Sequence, residues 1–475
     1  MTEAFADWSA APGCSVRSGA FTVRPMFFYA AAGGGIRATY WTSAALDRIV
    51  AHTPGGCAAA SGLLSSGASG GAVGLTVARN ASPGHSTDQV KAIAGQTALA
   101  VASVGLLVRD LVYPATGVPA PPLGESDALG KLDETGNAGW ADRAALMEAV
   151  WQTQSPALDT TFLGSGGAKT HPTGQLILNS TSLGTGCRVL VSQVDLGPVP
   201  PGTDCAATGQ PVADSIDLFG AYPESAAGAG QHCVGPVKSS SAAMFSSRFA
   251  YVTPAGAIGP CGAVDGHDQL IDGAYAENTG IGTIVDLSST WLPMVRQANS
   301  EQLRTSATPT LVVPVLVYLD NHPGTDLRPR AVTEVEDPLV PIIGKGRAAD
   351  QQASGPTLLQ RAARLMSATS LVDATSACPT TGPTSAAPAG TSAARCDDAV
   401  RAIESQRPYP VVVVHGTTAP SVAVPLGWTL SDNSIETMNE ALEEQEQRSC
   451  RDASADLVCA RGFGSLKDLY TMVNP

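Results

Sequence analysis

Ser69 stands in Gly67-Ala68-Ser69-Gly70-Gly71, a Gly-X-Ser-X-Gly frame. A serine hydroxyl becomes a nucleophile only when a sharp turn holds it clear of its own backbone. Flanking glycines let a strand and a helix pack closely around such a turn. The run Ala58 to Leu64 reads as a buried strand leading in, and Gly71, Val73, Leu75, Val77 and Ala78 read as the opening of a helix behind it. That unit presents Ser69 at the positive end of the helix, where developing negative charge is favoured. Ordinary Gly/Ser-rich turns spell the same five letters, so the frame needs partners elsewhere in the chain.

Two segments could supply them. Phe27 to Ala31 is an apolar strand that runs into Gly33-Gly34-Gly35 and then into a helical pattern carrying Trp41, Leu46 and Ile49. Consecutive glycines can turn several backbone N–H groups toward one point and bind an oxyanion there, and the following helix adds to the field. A phosphate loop or plain turn is the blander reading; the Gly-X-Gly-X-X-Gly spacing of a dinucleotide loop is absent. Further on, Gln269-Leu270-Ile271 delivers Asp272 into Gly273-Ala274. A buried aspartate beside a serine can serve directly as general base. Asp-Gly is also a common turn, which is the natural reading of Asp265-Gly266 nearby.

In this order, the glycine loop (Gly33, Gly34, Gly35, then Arg37), the elbow (Gly67, Ser69, Gly71) and the Asp272-Gly273-Ala274 motif resemble the patatin-like phospholipase family. The resemblance extends from about Arg24 to about Asp320. Leu176 to Thr181 with Thr185-Gly186 looks like the family's central strand and turn, and Ser247 to Pro254 like the segment entering the dyad region. It implies an α/β fold of three layers around a central mixed sheet. It also implies a Ser69–Asp272 dyad without histidine, acting on acyl esters of lipids with no metal or organic cofactor. Gly33, Gly34, Gly35 and Gly70 are the implied oxyanion donors, and Arg37 either fixes the loop or meets a phosphate head group. Many members carry Asp before the glycines and Gly after the basic residue; here Ala32 and Ala38 stand there, so the loop is expected to be braced differently.

The composition is compatible with such an enzyme. A chain of 475 residues can bury a sizeable core. Only 15% of residues are charged, and the net charge of −14 argues against nucleic acid and against an electrostatic grip on anionic membranes. Any peripheral membrane contact is expected to be apolar and local. The ten cysteines include no Cys-X-X-Cys pair, and several lie in polar loops, where disulfides explain them best. Expected pairs are Cys378–Cys396, Cys450–Cys459 and Cys205–Cys233, and of the four that remain Cys14 is set with Cys57. An extracytoplasmic compartment follows. The N-terminus lacks the basic start and apolar core of a signal peptide, so a native signal or anchor is expected to have been trimmed.

The elements that must position these residues are spread along the chain. Residues 1–24 read as an irregular lead-in, 25–320 as the catalytic domain, and 321–475 as an extension or cap packed on it. Gln89 to Leu111 reads as one long helix. Trp140 to Trp151 reads as an amphipathic helix with Ala145, Leu146, Ala149 and Val150 inward. Strands are expected at 175–180, 187–193, 310–319 and 411–414, with Pro314 arguing for an edge or bulge. Residues 196–238 form a Gly/Pro-rich excursion placed over the site. An acidic helix spans 434–446, with Asn433, Ser431 and Asp432 all eligible as its N-cap.

Three other readings compete. A Ser69–Asp272–His415 triad has the chain order of α/β-hydrolases. A non-catalytic scaffold could retain the fold. A metal could sit among Asp265, His267, Asp268 and Asp272, although such loops are usually solvated turns.

Overall fold

The computed structural model describes all residues except 54–56, 58–60, 96–97, 112–142, 164–170, 200–204, 206–208, 224–232, 236, 250–251, 259–260, 262–267, 322–355, 373–390, 417–428, 453–456 and 475. Its centre is one ten-stranded sheet: β1 (Val16–Ser18), β2 (Phe21–Ala31), β3 (Gly62–Ala68), β4 (Gln175–Ser182), β5 (Arg188–Ser192), β6 (Ser215–Asp217), β7 (Gly256–Ile258), β8 (Asp268–Asp272), β9 (Thr310–Asp320) and β10 (Val411–His415). The order is β10-β9-β2-β3-β4-β5-β6, with β1 paired to β2 and the β7–β8 hairpin paired to β4 through β8. From β10 to β4 every neighbour is parallel; β5 and β8 both run antiparallel to β4.

Parallel strands are covered on both faces, so they read as continuous apolar runs. Successive side chains nonetheless go to opposite sides. Met26, Phe28 and Ala30 of β2 join one core with Trp291, and Phe27, Tyr29 and Ala31 join the other with Tyr40 and Trp41. The strand 411–414 divides in the same way, Val411 and Val413 on one side, Val412 and Val414 on the other. The span 1–24, expected to be irregular, holds helix α1 (Thr2–Ala10), β1 and the start of β2; helices α2 (Gly35–His52) and α3 (Ser69–Asn80) lie on the second face. The helix Ser288–Thr305, with Trp291, Val295 and Leu303 inward, covers the first. This is a three-layer α/β fold.

Several local expectations are corrected. The strand before Ser69 is Gly62–Ala68, running on to the nucleophile where 58–64 was expected, with 58–60 outside the described residues, and α3 opens at Ser69 itself. The span 89–111 is divided into Ser86–Ala94, Ala98–Gly105 and a π-helical turn Leu106–Asp110. The helix Arg143–Gln154 buries Ala144, Met147 and Ala149, while Ala145, Leu146 and Val150 are only half-buried. Pro314 lies in a central strand, between β2 and β10. It is tolerated because β10 pairs only from Leu316 onward; its carbonyl, one step before that, accepts from buried Arg407 Nη1 at 2.7 Å. The acidic helix is Asp432–Gln447, with Ser431 as N-cap accepting from the Ser434 N–H. In the 196–238 excursion the described residues include β6, which extends the sheet edge, and the short helix Leu218–Ala221.

Four disulfides are described: Cys14–Cys57, Cys187–Cys205, Cys233–Cys261 and Cys450–Cys459. The Cys205–Cys233 expectation is therefore wrong. Cys205 instead bridges back to Cys187 at the foot of β5, and Cys233 to Cys261 ahead of β8. Cys378 lies outside the described residues. The four bridges fit an oxidising compartment, and no helix among the described residues is long and apolar enough to cross a membrane.

Candidate active site

Two helices begin at the same place. β2 ends at Ala31 and its chain passes through the glycine triplet into α2; β3 ends at Ala68 and passes straight into α3. Because β2 and β3 are parallel neighbours, with Ala31 opposite Gly67, both N-termini converge beyond the same sheet edge. Their dipoles add there.

Ser69 makes the strand-to-helix turn with φ at 51°. For a residue with a Cβ this left-handed conformation costs about 1–3 kcal/mol. Close backbone packing enforces it. A Cβ on Gly71 would lie 2.6 Å from the Ala32 carbonyl, and one on Gly70 would lie 1.8 Å from that of Gly35. The Ser69 N–H donates to Ser246 Oγ at 3.2 Å, and Ser246 Oγ donates in turn to the Asn179 carbonyl at 2.5 Å. Thr39 Oγ1 donates to the Gly70 carbonyl at 2.9 Å and to that of Gly35 at 3.3 Å, tying the two loops together.

Asp272 ends β8, opposite Ser180 on β4. The residue is 1% exposed. Oδ2 accepts from Ser69 Oγ at 2.7 Å, and Oδ1 accepts from the Ala274 N–H at 2.8 Å. The second bond is the ordinary Asp-Gly turn; the first joins that turn to the elbow. Gly273 is required because β4 runs directly beneath it: a Cβ would lie 1.9 Å from the Asn179 carbonyl. Asn179 is itself a buried hub. Its Nδ2 donates to Ser66 Oγ and the Gly67 carbonyl, and its Oδ1 accepts from Thr283 Oγ1.

The glycine loop divides in its roles. Gly33 is not available as an oxyanion donor, since its N–H donates to the Asn278 carbonyl at 2.8 Å. The N–H groups of Gly34, Gly35 and Gly70 find no acceptor among the described residues. Arg37 is buried, and its Nε donates to Asn321 Oδ1 at 3.0 Å. Asn321 Nδ2 then donates to the carbonyls of Ala32 at 3.1 Å and Gly33 at 2.9 Å. Of the two uses open to Arg37, these bonds correspond to fixing the loop. Asn321 thus braces the glycine loop from the end of β9.

His415 is not brought to this pair. It ends β10, with β9 and β2 between β10 and β3, about 14 Å from β3 at the usual strand spacing. Its Nδ1 lies 2.8 Å from the Gly416 carbonyl, and Asp272 meets Ser69 with no imidazole between them. Asp265 and His267 lie outside the described residues, and Asp268 Oδ1 accepts from Ser182 Oγ. Among the described residues no group of three or more His, Cys, Asp and Glu side chains is arranged for a metal ion.

Sequence reasoning missed Asn179, Ser246, Thr39 and Asn321. Each is a small polar residue whose importance depends on long-range packing. The only signal was Ala32 ahead of the glycine triplet, which led to the expectation of a different brace without naming it. No family model and no curated protein matches the chain. Among solved structures it is similar to the crystal structure of VipD from Legionella pneumophila, at 12% identity and a TM-score of 0.28, over 91% of this chain and 70% of that one.

Proposed function

We propose that this protein is a patatin-like serine acyl hydrolase that cleaves acyl esters of lipids through a Ser69–Asp272 dyad. The observation that carries the reading is the 2.7 Å hydrogen bond from Ser69 Oγ to Asp272 Oδ2, made by a serine held at φ 51° on a strand-to-helix turn. A structural serine has no need of that backbone geometry, and a structural aspartate is satisfied by its own turn.

In the acylation step Ser69 Oγ attacks the ester carbonyl carbon while its proton passes to Asp272 Oδ2. The carbonyl π electrons move to oxygen, and that oxyanion is met by the N–H groups of Gly34, Gly35 and Gly70 at the ends of two helices. Collapse expels the alcohol, which takes the proton from Asp272. Water then repeats the sequence on the acyl-enzyme: Asp272 accepts one of its protons, and Ser69 recovers that proton as the fatty acid leaves. Because the Ala274 N–H holds Oδ1, the carboxylate keeps Oδ2 toward the serine through both halves.

The cystines support an extracytoplasmic setting for this reaction, and the net charge of −14 favours apolar contact with the lipid. The test is a screen across phospholipid, lysophospholipid, glycolipid and simple esters, with Ser69→Ala as the blank. Release of fatty acid from at least one class, lost in the blank, is expected. Equal release by both proteins would defeat the proposal.

A further inference from the structure

The β2–β9 ladder ends where the Ala32 N–H donates to the Leu319 carbonyl at 3.2 Å. Beyond that point β2 continues into the glycine loop and β9 into Asn321, so the two chains part beside the site. The Asn321 side chain spans the gap. Its Nδ2 holds two successive carbonyls, Ala32 and Gly33, and its Oδ1 is held by Arg37 Nε. The residue is buried, which makes these bonds costly to lose without replacement.

The geometry of a trans peptide gives this clamp a consequence. The C=O and N–H of one peptide point in opposite directions. In the Ala32–Gly33 peptide both ends are occupied: the carbonyl by Asn321, the N–H by the Asn278 carbonyl. In the Gly33–Gly34 peptide the carbonyl is held, again by Asn321, so the Gly34 N–H is turned away from Asn321 and meets no acceptor among the described residues. The Asn321 amide packs directly on the Gly34 Cα, where a Cβ would lie 2.3 Å from Oδ1, so no side chain fits at position 34 beside the clamp. On the neighbouring residue, a Cβ at Gly33 would lie 3.2 Å from Ser69 Cβ.

We propose that Asn321, which belongs to none of the sequence motifs, is a positioning residue for catalysis: it fixes the Gly33–Gly34 peptide so that the Gly34 N–H donates to the oxyanion formed at Ser69. The inference rests on the Ser69–Asp272 reading and adds the group that orients its oxyanion loop. Without the clamp a glycine peptide can turn over, presenting a carbonyl where the donor is needed.

The experiment uses Asn321→Ala and Asn321→Asp in the full chain. Rates are normalised to the number of Ser69 sites titrated to completion by a fluorophosphonate, so that any misfolded fraction drops out. One oxyanion donor is usually worth about 10²–10³ in kcat. The expected result is a fall in kcat of about 10²-fold with KM within about threefold, and a comparable loss of affinity for a trifluoromethyl ketone that forms a tetrahedral adduct. A non-reactive ether analogue of the substrate is expected to bind as it does to the native protein. Native kcat and ketone affinity in the titrated variants would overturn the proposal, as would an equal loss for ketone and ether. A crystal structure of Asn321→Asp reads the clamp without any activity: the Gly33 carbonyl turned from position 321 is expected, and an unmoved loop would overturn the proposal. Failure of the native protein to be titrated at Ser69, by contrast, would count against the dyad.

Discussion

At the scale of single residues the account depends on a serine kept in a conformation it does not favour. Ser69→Ala is expected to reduce ester hydrolysis by about 10⁶-fold, the usual cost of removing a nucleophile. Ser69→Gly is expected to be equally inactive yet about 1 kcal/mol more stable than Ser69→Ala in denaturant unfolding, because glycine adopts positive φ without cost. Equal stability of the two variants would mean that the turn stores no strain. Asp272→Asn keeps the shape of the pair but removes the base, and a fall in kcat of about 10²–10⁴-fold is expected. His415→Ala is expected to retain the native rate, since His415 is separated from Ser69 by two intervening strands; a loss of several orders of magnitude would restore the triad.

At the scale of elements, glycines mark where backbones touch. Gly273→Ala pushes a methyl group onto the Asn179 carbonyl, 1.9 Å away, whereas Gly209→Ala meets nothing within 4 Å among the described residues and bears the strain of a φ of 68°. Thermal unfolding is expected to show the larger loss at Gly273, by about 1–3 kcal/mol; a smaller loss there would mean that β8 can move away from β4. The same contacts explain what was legible in the sequence. Ser69, Asp272 and the glycine triplet could be read because each sits where an apolar strand stops, and that punctuation is local. Asn179 and Asn321 could not, because nothing near them in the chain reveals that Gly67, Thr283 or the Gly33 carbonyl lies beside them. The break in the span 89–111 was hidden because alanine-rich, apolar segments keep a helical pattern across a break. Pro314 was misread for the opposite reason: the rule for sheet proline is local to one hydrogen bond, and β10 simply begins after that bond. Cysteine pairing failed at Cys205 because it shares a polar, Gly/Pro-rich stretch with Cys233, whereas the fold closes it back onto Cys187 beside β5.

At the scale of the whole molecule, buried titratable groups set how stability responds to pH. Burial pushes the Asp217 carboxyl up to about 7, against the opposing pull of backbone N–H groups at Leu196, Phe219 and Gly220. The folded state therefore holds a proton that the unfolded chain releases from about 3.8 upward. Asp217 accordingly lowers stability progressively as pH rises from about 4 to about 7. The melting temperature of Asp217→Asn relative to the native protein is expected to rise across that window, and a constant difference would show that Asp217 does not titrate there. His171 acts in the acid direction, since burial and then Arg79 push it down to about 3; stability it supports above pH 6.5 is lost as pH falls toward 3. Neither group belongs to the dyad, so activity and stability profiles can be separated. What unites the molecule is the meeting of β2, β3 and β8 at one place, which brings a hydroxyl and a carboxylate 203 positions apart into a 2.7 Å contact. The most direct test of that union is mass mapping of a fluorophosphonate adduct on folded protein, native and Asp272→Asn. A single phosphonyl group on Ser69, formed at least about 10²-fold faster in the native protein than in the Asp272 variant, is the expected result. Modification elsewhere, or equal rates at Ser69 in both proteins, would contradict the account.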